Sequence, residues 1–136
     1  MHHPKLEEVV RHDPRYAYEA YEFLFQALAH TQKLLDRIPP LDAPASEEYH
    51  VSGRELLEGI RELALREFGL LARTVFRFWG INRTADFGEI VFNLVEARLM
   101  SKTSQDDRKD FADVFDLDEA LVRNYHIEAR EEAEGR

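Results

Sequence analysis

The chain has 136 residues, 44% hydrophobic and 33% charged, a composition that fits one soluble globular domain with a real core. It contains no cysteine, which excludes a disulfide framework, thiolate catalysis and cysteine-ligated metal. A formal charge of −9 opposes unspecific attachment to nucleic acid, and no apolar run approaches the roughly 20 residues that cross a bilayer.

A short apolar segment around Leu6, Val9 and Val10 opens the chain, and Met1-His2-His3-Pro4-Lys5 lacks the apolar stretch of a signal peptide. Asp13 and Pro14 then read as the cap and first position of a helix. From there Ala17, Ala20, Tyr21, Leu24, Ala27, Leu28, Thr31, Leu34, Leu35 and Ile38 keep a three-four rhythm. This predicts a long amphipathic helix that ends before Pro39-Pro40. Residues 39–50 form the single linker-like passage, with three prolines; Tyr49-His50-Val51 is a candidate brief strand.

Ser52 and Glu55 stand at capping-box spacing, and Leu56, Leu57, Ile60, Leu63, Ala64 and Phe68 follow on one stripe. Gly69 fits a helix end. A shorter helix is predicted from Leu70 to Trp79, closed at Gly80 with Ile81 folding back on Phe76; the alternative is a strand over Thr74–Trp79. The next helix starts near Thr84 or at Asp86, which pairs at cap spacing with Glu89. Phe87, Ile90, Val91, Phe92, Leu94, Val95, Ala97 and Leu99 then give it apolar residues on nearly every side, as in a central helix.

Residues 99–115 admit two readings. A strand, turn and strand would end a winged-helix domain, and a short helix over 105–115 explains the same letters. Asp116 and Glu119 open a last helix through Leu117, Ala120, Leu121 and Tyr125. The expected organisation is a mainly α, compact multi-helix domain over 1–127, followed by a charged, frayed tail at 128–136.

Charge is unevenly spread. Residues 70–83 carry Arg73, Arg77 and Arg83 with no acid, whereas 104–119 carry seven acids against Arg108 and Lys109. The mixture of arginines with Trp79 suits a protein interface, and stacking on nucleic acid comes second. The plainer reading puts Val75, Phe76, Phe78 and Trp79 in the core and leaves the arginines solvated. Among the acids, Asp106, Asp110 and Asp113 would share one helical face and are the weak candidates for a hard cation, though the EF-hand pattern is missing. The six histidines are scattered, without HxxxH spacing; His50, with Glu47 and Glu48 nearby, is the one that a His-based reaction would use. No nucleophile elbow, Walker loop or dinucleotide fingerprint occurs, so no catalytic residue and no cofactor is expected.

The segments Asp13-Pro14-Arg15-Tyr16, His50-Val51-Ser52-Gly53-Arg54-Glu55-Leu56-Leu57-Glu58-Gly59, Asp86-Phe87-Gly88-Glu89-Ile90-Val91-Phe92-Asn93-Leu94-Val95-Glu96 and Asp110-Phe111-Ala112-Asp113-Val114-Phe115-Asp116 resemble a family of short bacterial proteins with no settled activity. The likeness runs from about Leu6 to Leu121 and departs from the family pattern at Arg98, where glycine is usual. It implies a bacterial cytosolic protein with that family's fold, and carries over no catalytic residue. Its polar letters make His50, Arg54, Asp86, Glu89 and Asn93 the candidate functional residues.

The leading expectation is a non-enzymatic domain that binds another protein or itself through Arg73, Arg77, Trp79 and Arg83. A nucleic-acid or ribosome-associated factor is the alternative, disfavoured by net charge. An enzyme or metal protein built on His50 or the 106–118 acids is third.

Overall fold

Leu6 and Val9 lie on one side of the first turns of the chain, and their burial fixes helix α1, Pro4–His12. His3 caps it, its Nδ1 accepting from the Lys5 amide at 3.2 Å. The computed structural model describes residues 3–38, 40, 50–100 and 108–123. Among these, all regular structure is helical and no strand occurs.

Helix α2, Tyr18–Leu34, starts four residues later than the Asp13-Pro14 signal predicts. The Asp13 carboxylate is occupied elsewhere, accepting from the Arg15 amide and from the Arg15 side chain. Ala17 is the residue before the helix, and its amide donates to the Trp79 carbonyl at 3.1 Å, so the 13–17 segment docks across the molecule. The far end is also shorter than the apolar rhythm suggests. Asp36 turns the chain at φ 55, and Arg37 then donates to Glu55 Oε1 at 2.8 Å and to the His50 carbonyl at 3.2 Å. Most of the proline-rich connection lies outside the described residues, and Val51 is a buried coil residue rather than part of a strand.

Ser52 and Glu55 form the expected capping box at the start of α3, Gly53–Phe68: the Ser52 hydroxyl accepts from the Glu55 amide at 3.1 Å, and Glu55 Oε1 from the Ser52 amide at 3.0 Å. That amide, with Arg37, holds the Glu55 carboxyl below the usual carboxylate range. A 3-10 turn, Gly69–Leu71, leads into α4, Ala72–Phe78, so the strand alternative for this stretch does not form. Helix α4 closes in a Schellman motif, with the Gly80 amide on the Arg77 carbonyl and the Ile81 amide on the Phe76 carbonyl.

Helix α5, Thr84–Glu96, begins before Asp86, which therefore serves not as its cap with Glu89 but as its third residue. From there the Asp86 carboxylate reaches back to the amides of Asn82 and Arg83 at 2.8 and 3.2 Å. Phe87, Ile90 and Leu94 are fully buried, whereas Val91 at the edge of their stripe and Phe92 and Val95 beyond it are half-buried, so α5 is covered on one face more than the pattern implies.

Residues 108–111 form a 3-10 turn in place of the hairpin of a winged helix; 101–107 lie outside the described residues. The reason is a wedge. Phe111, 4% exposed, sits in a slot floored by Gly53 of α3 and Gly88 of α5, where an added methyl would meet Asp110 and Phe111 atoms at 2.9 Å. Buried Thr84 holds the next stretch, accepting from the Val114 amide at 3.2 Å. Asp116 caps the final helical turns as expected, accepting from the Glu119 amide at 3.0 Å, and Leu117, Ala120 and Leu121 point into the core. Tyr125 and the tail lie outside the described residues.

Helices α2 and α3 pack along each other, and α5 lies against both. Just past α5, Arg98 holds φ 60, the left-handed conformation that costs a side chain about 1–2 kcal/mol and glycine almost nothing. Arg98→Gly is expected to raise stability by about 0.5–1 kcal/mol, after the glycine's extra chain entropy is counted, and so to raise Tm by a few degrees. A thermal melt of the two proteins checks it; an unchanged or lower Tm contradicts the strain.

Candidate functional site

The arginine and aromatic segment 70–83 is divided by the fold. Arg73 is 9% exposed, so it does not belong to an exposed surface as the sequence suggested. Its Nε donates to Asp118 Oδ1 at 2.8 Å and a terminal nitrogen to the Ile81 carbonyl at 3.2 Å. One basic residue and one acidic residue of the two oppositely charged stretches thus meet within the molecule. Trp79 is half-buried as well, with its ring 5.5, 5.7 and 5.9 Å from those of Phe23, Phe68 and Phe76. Arg77 and Arg83 remain exposed.

Phe78, counted as core by the plainer reading, is 83% exposed. Leu71 and Phe78 are seven residues apart and Thr74 lies between them at helical spacing, so the three share the outer face of α4. Leu71 is 65% exposed and Leu70, just before it, 49%. These are large apolar side chains left in water beside Arg77. The signal was present in the sequence: at 100° per residue, Phe76 and Phe78 point to nearly opposite sides of a helix.

A second constellation forms where the 13–17 segment crosses α5. Asp86, Glu89 and Asn93 lie on one face of α5 at i, i+3 and i+7, and each takes part. The Tyr16 hydroxyl donates to Asp86 Oδ1 at 2.7 Å. Arg15 grips Asp13 with two bonds, Nε to Oδ1 at 2.8 Å and a terminal nitrogen to Oδ2 at 2.7 Å, and stands 3.5 Å from Glu89. Asn93 Nδ2 donates to Asp13 Oδ2 at 2.8 Å and to the Tyr21 hydroxyl at 3.0 Å.

The Arg15 guanidinium, helped by Asn93, holds the Asp13 carboxyl well below the usual carboxylate range. Burial and the bond to Asp86 push the Tyr16 phenol up, and burial likewise raises Tyr21. Asp13 is therefore held ionised, and Tyr16 and Tyr21 neutral, across the neutral range. The constellation is a clasp between segments up to 80 residues apart. Asp13, Arg15, Tyr16 and Tyr21 show no functional spacing of their own in the sequence, because the partners that define them lie some 70 to 80 residues further on.

The other candidates are dispersed. His50 accepts at its carbonyl from Arg37, on the far side of the α2 to α3 connection, and Arg54 is exposed in the first turn of α3. Asp110 and exposed Asp113 flank the Phe111 wedge, while Asp106 lies outside the described residues. Among the described residues no three histidine, aspartate or glutamate side chains converge as metal ligands. His30 Nε2 is buried 3.6 Å from Glu62 Oε1, across the α2 and α3 contact. Among the described residues no helix is long and apolar enough to cross a membrane.

Comparisons with family models, with curated proteins and with solved structures give no match to this chain.

Proposed function

We propose that the protein is an interaction domain that docks an acid-rimmed, apolar segment of another protein on the outer face of α4. The observation that carries this reading is the exposure of Phe78, with Leu71 and Leu70 beside it and Arg77 at the margin. Interfaces centre on such aromatic and arginine anchors, and an exposed side chain of this size gains most of its burial only when a partner arrives. Arg73 and Trp79 act from behind, through the packing that holds α4 in place.

Self-association through the same face is the weaker form. Two copies related by a two-fold would present segment 70–83 to itself, and that segment contains arginines and no acid. A nucleic-acid role loses Arg73, whose guanidinium is already committed to Asp118 and the Ile81 carbonyl. A bacterial cytosolic setting belongs to the proposal, supported by the lack of cysteine and by the four segments quoted above.

The test uses the full chain and two synthetic helical peptides. Both carry leucines at i, i+3 and i+7; one is flanked by glutamates and its twin by lysines. The glutamate peptide is expected to bind and the lysine peptide not. Phe78→Asp and Arg77→Glu should each weaken binding by about tenfold or more with Tm unchanged. Equal binding of both peptides, or affinity indifferent to Phe78→Asp, overturns the proposal. So does a dimer in light scattering that Phe78→Asp dissolves.

A further inference from the structure

Asn93 donates through Nδ2 to both Asp13 and Tyr21, which accounts for both of its amide hydrogens. What it has left to offer a neighbour is its carbonyl oxygen, held in one orientation by those two bonds. Asn93 also lines an open cleft of about 320 Å³ between α1 and α5. A cleft of this volume is wide enough to seat a small ligand, and an acceptor among its lining residues gives such a ligand a polar partner.

The rest of the lining says what such a ligand would carry. Glu8 and Glu96 contribute carboxylates, one from each helix, and Val9 and Ala97 contribute apolar wall. Helix α5 ends at Glu96, so the negative end of its dipole falls at the cleft. Against these stand Lys5 and His12, both on the same face of α1 as Glu8, an ammonium and an imidazole with at least one N–H donor. Two carboxylates and the end of α5 against one ammonium leave the lining negative by one formal charge with His12 neutral, and the whole chain, at −9, attracts cations.

We propose that the cleft between α1 and α5 binds a small organic cation with N–H donors, an ammonium or guanidinium on a short alkyl chain. Its N–H groups donate to Asn93 Oδ1 and to the Glu8 and Glu96 carboxylates, and its methylenes lie on Val9 and Ala97. Lys5 is the resident competitor for those carboxylates. The site is independent of the α4 face.

Agmatine, a short alkyl chain with a guanidinium at one end and an ammonium at the other, is the probe; succinate is its anionic control. In a ¹⁵N–¹H titration of the full chain, agmatine is expected to give saturable shifts at the Ala97 amide and the Asn93 side-chain amide, and succinate none. Glu8→Gln and Glu96→Gln should each weaken agmatine by about tenfold, the loss of one charge-assisted hydrogen bond. Lys5→Met should tighten it, whereas an anion site would be weakened by the same change. All three residues are exposed, and the unliganded spectra confirm that the variants keep the fold. Saturable succinate shifts at those positions, agmatine shifts that never saturate, or agmatine affinity indifferent to the three variants would each overturn the proposal.

Discussion

Gly80→Ala is expected to be among the most damaging single substitutions in the chain. Gly80 sits at φ +89, and a methyl built there would collide with the Arg15 carbonyl oxygen. The left-handed backbone alone costs a non-glycine residue about 1–2 kcal/mol. The collision is with backbone, so it is relieved only by moving residues 13–17 away from the end of α4. That movement breaks the Ala17 to Trp79 hydrogen bond and pulls on the Asp13, Arg15 and Asn93 clasp. Together these come to about 3–5 kcal/mol, against a total of roughly 5–15 for a domain of this kind. Urea unfolding should show the midpoint falling by a large fraction of its value. A loss below about 1 kcal/mol would mean that the 13–17 segment is free to shift and that the clasp contributes little.

The elements that depend on near neighbours were legible in the chain. Ser52 and Glu55 state their capping box three residues apart, and Gly80 with Ile81 states a helix end within a few residues of Phe76. Those that depend on distant partners were not. The start of α2 is set by a carbonyl at Trp79 and by a carboxylate already held by Arg15, neither of which is visible at Asp13-Pro14. Arg73 looks like surface until Asp118 and the Ile81 carbonyl are brought to it. The 108–111 turn follows from the slot that Gly53 and Gly88 leave for Phe111, a complementarity spread over three separate segments. Asp86, Glu89 and Asn93 were named as candidates and do share a face, but their partners Asp13, Arg15, Tyr16 and Tyr21 lie some 70 to 80 residues earlier.

The contrast between Phe76 and Phe78 carries the second large prediction. Phe76 is 0% exposed, with ring centroids of Phe87, Phe23 and Trp79 at 5.2, 5.6 and 5.9 Å. Phe76→Ala removes the centre of that cluster and leaves a cavity that the three surrounding rings cannot collapse to fill, so it should cost about 3–5 kcal/mol. Phe78, two residues on and 83% exposed, gives up almost no buried area when truncated, and Phe78→Ala should change stability by less than about 0.5 kcal/mol. The same substitution at Phe78 should weaken binding of the glutamate-flanked peptide by about tenfold or more. Paired urea melts and binding curves separate the two roles. If Phe78→Ala destabilises as Phe76→Ala does, the side chain is buried in solution and the α4 face is already covered. If it changes neither stability nor binding, the exposure is incidental and the proposed docking on α4 is overturned. Phe78 is about as solvated in the folded chain as in the unfolded one, so it neither supports nor burdens the fold. A loss of binding without a loss of stability is the signature that the proposed docking face on α4 requires.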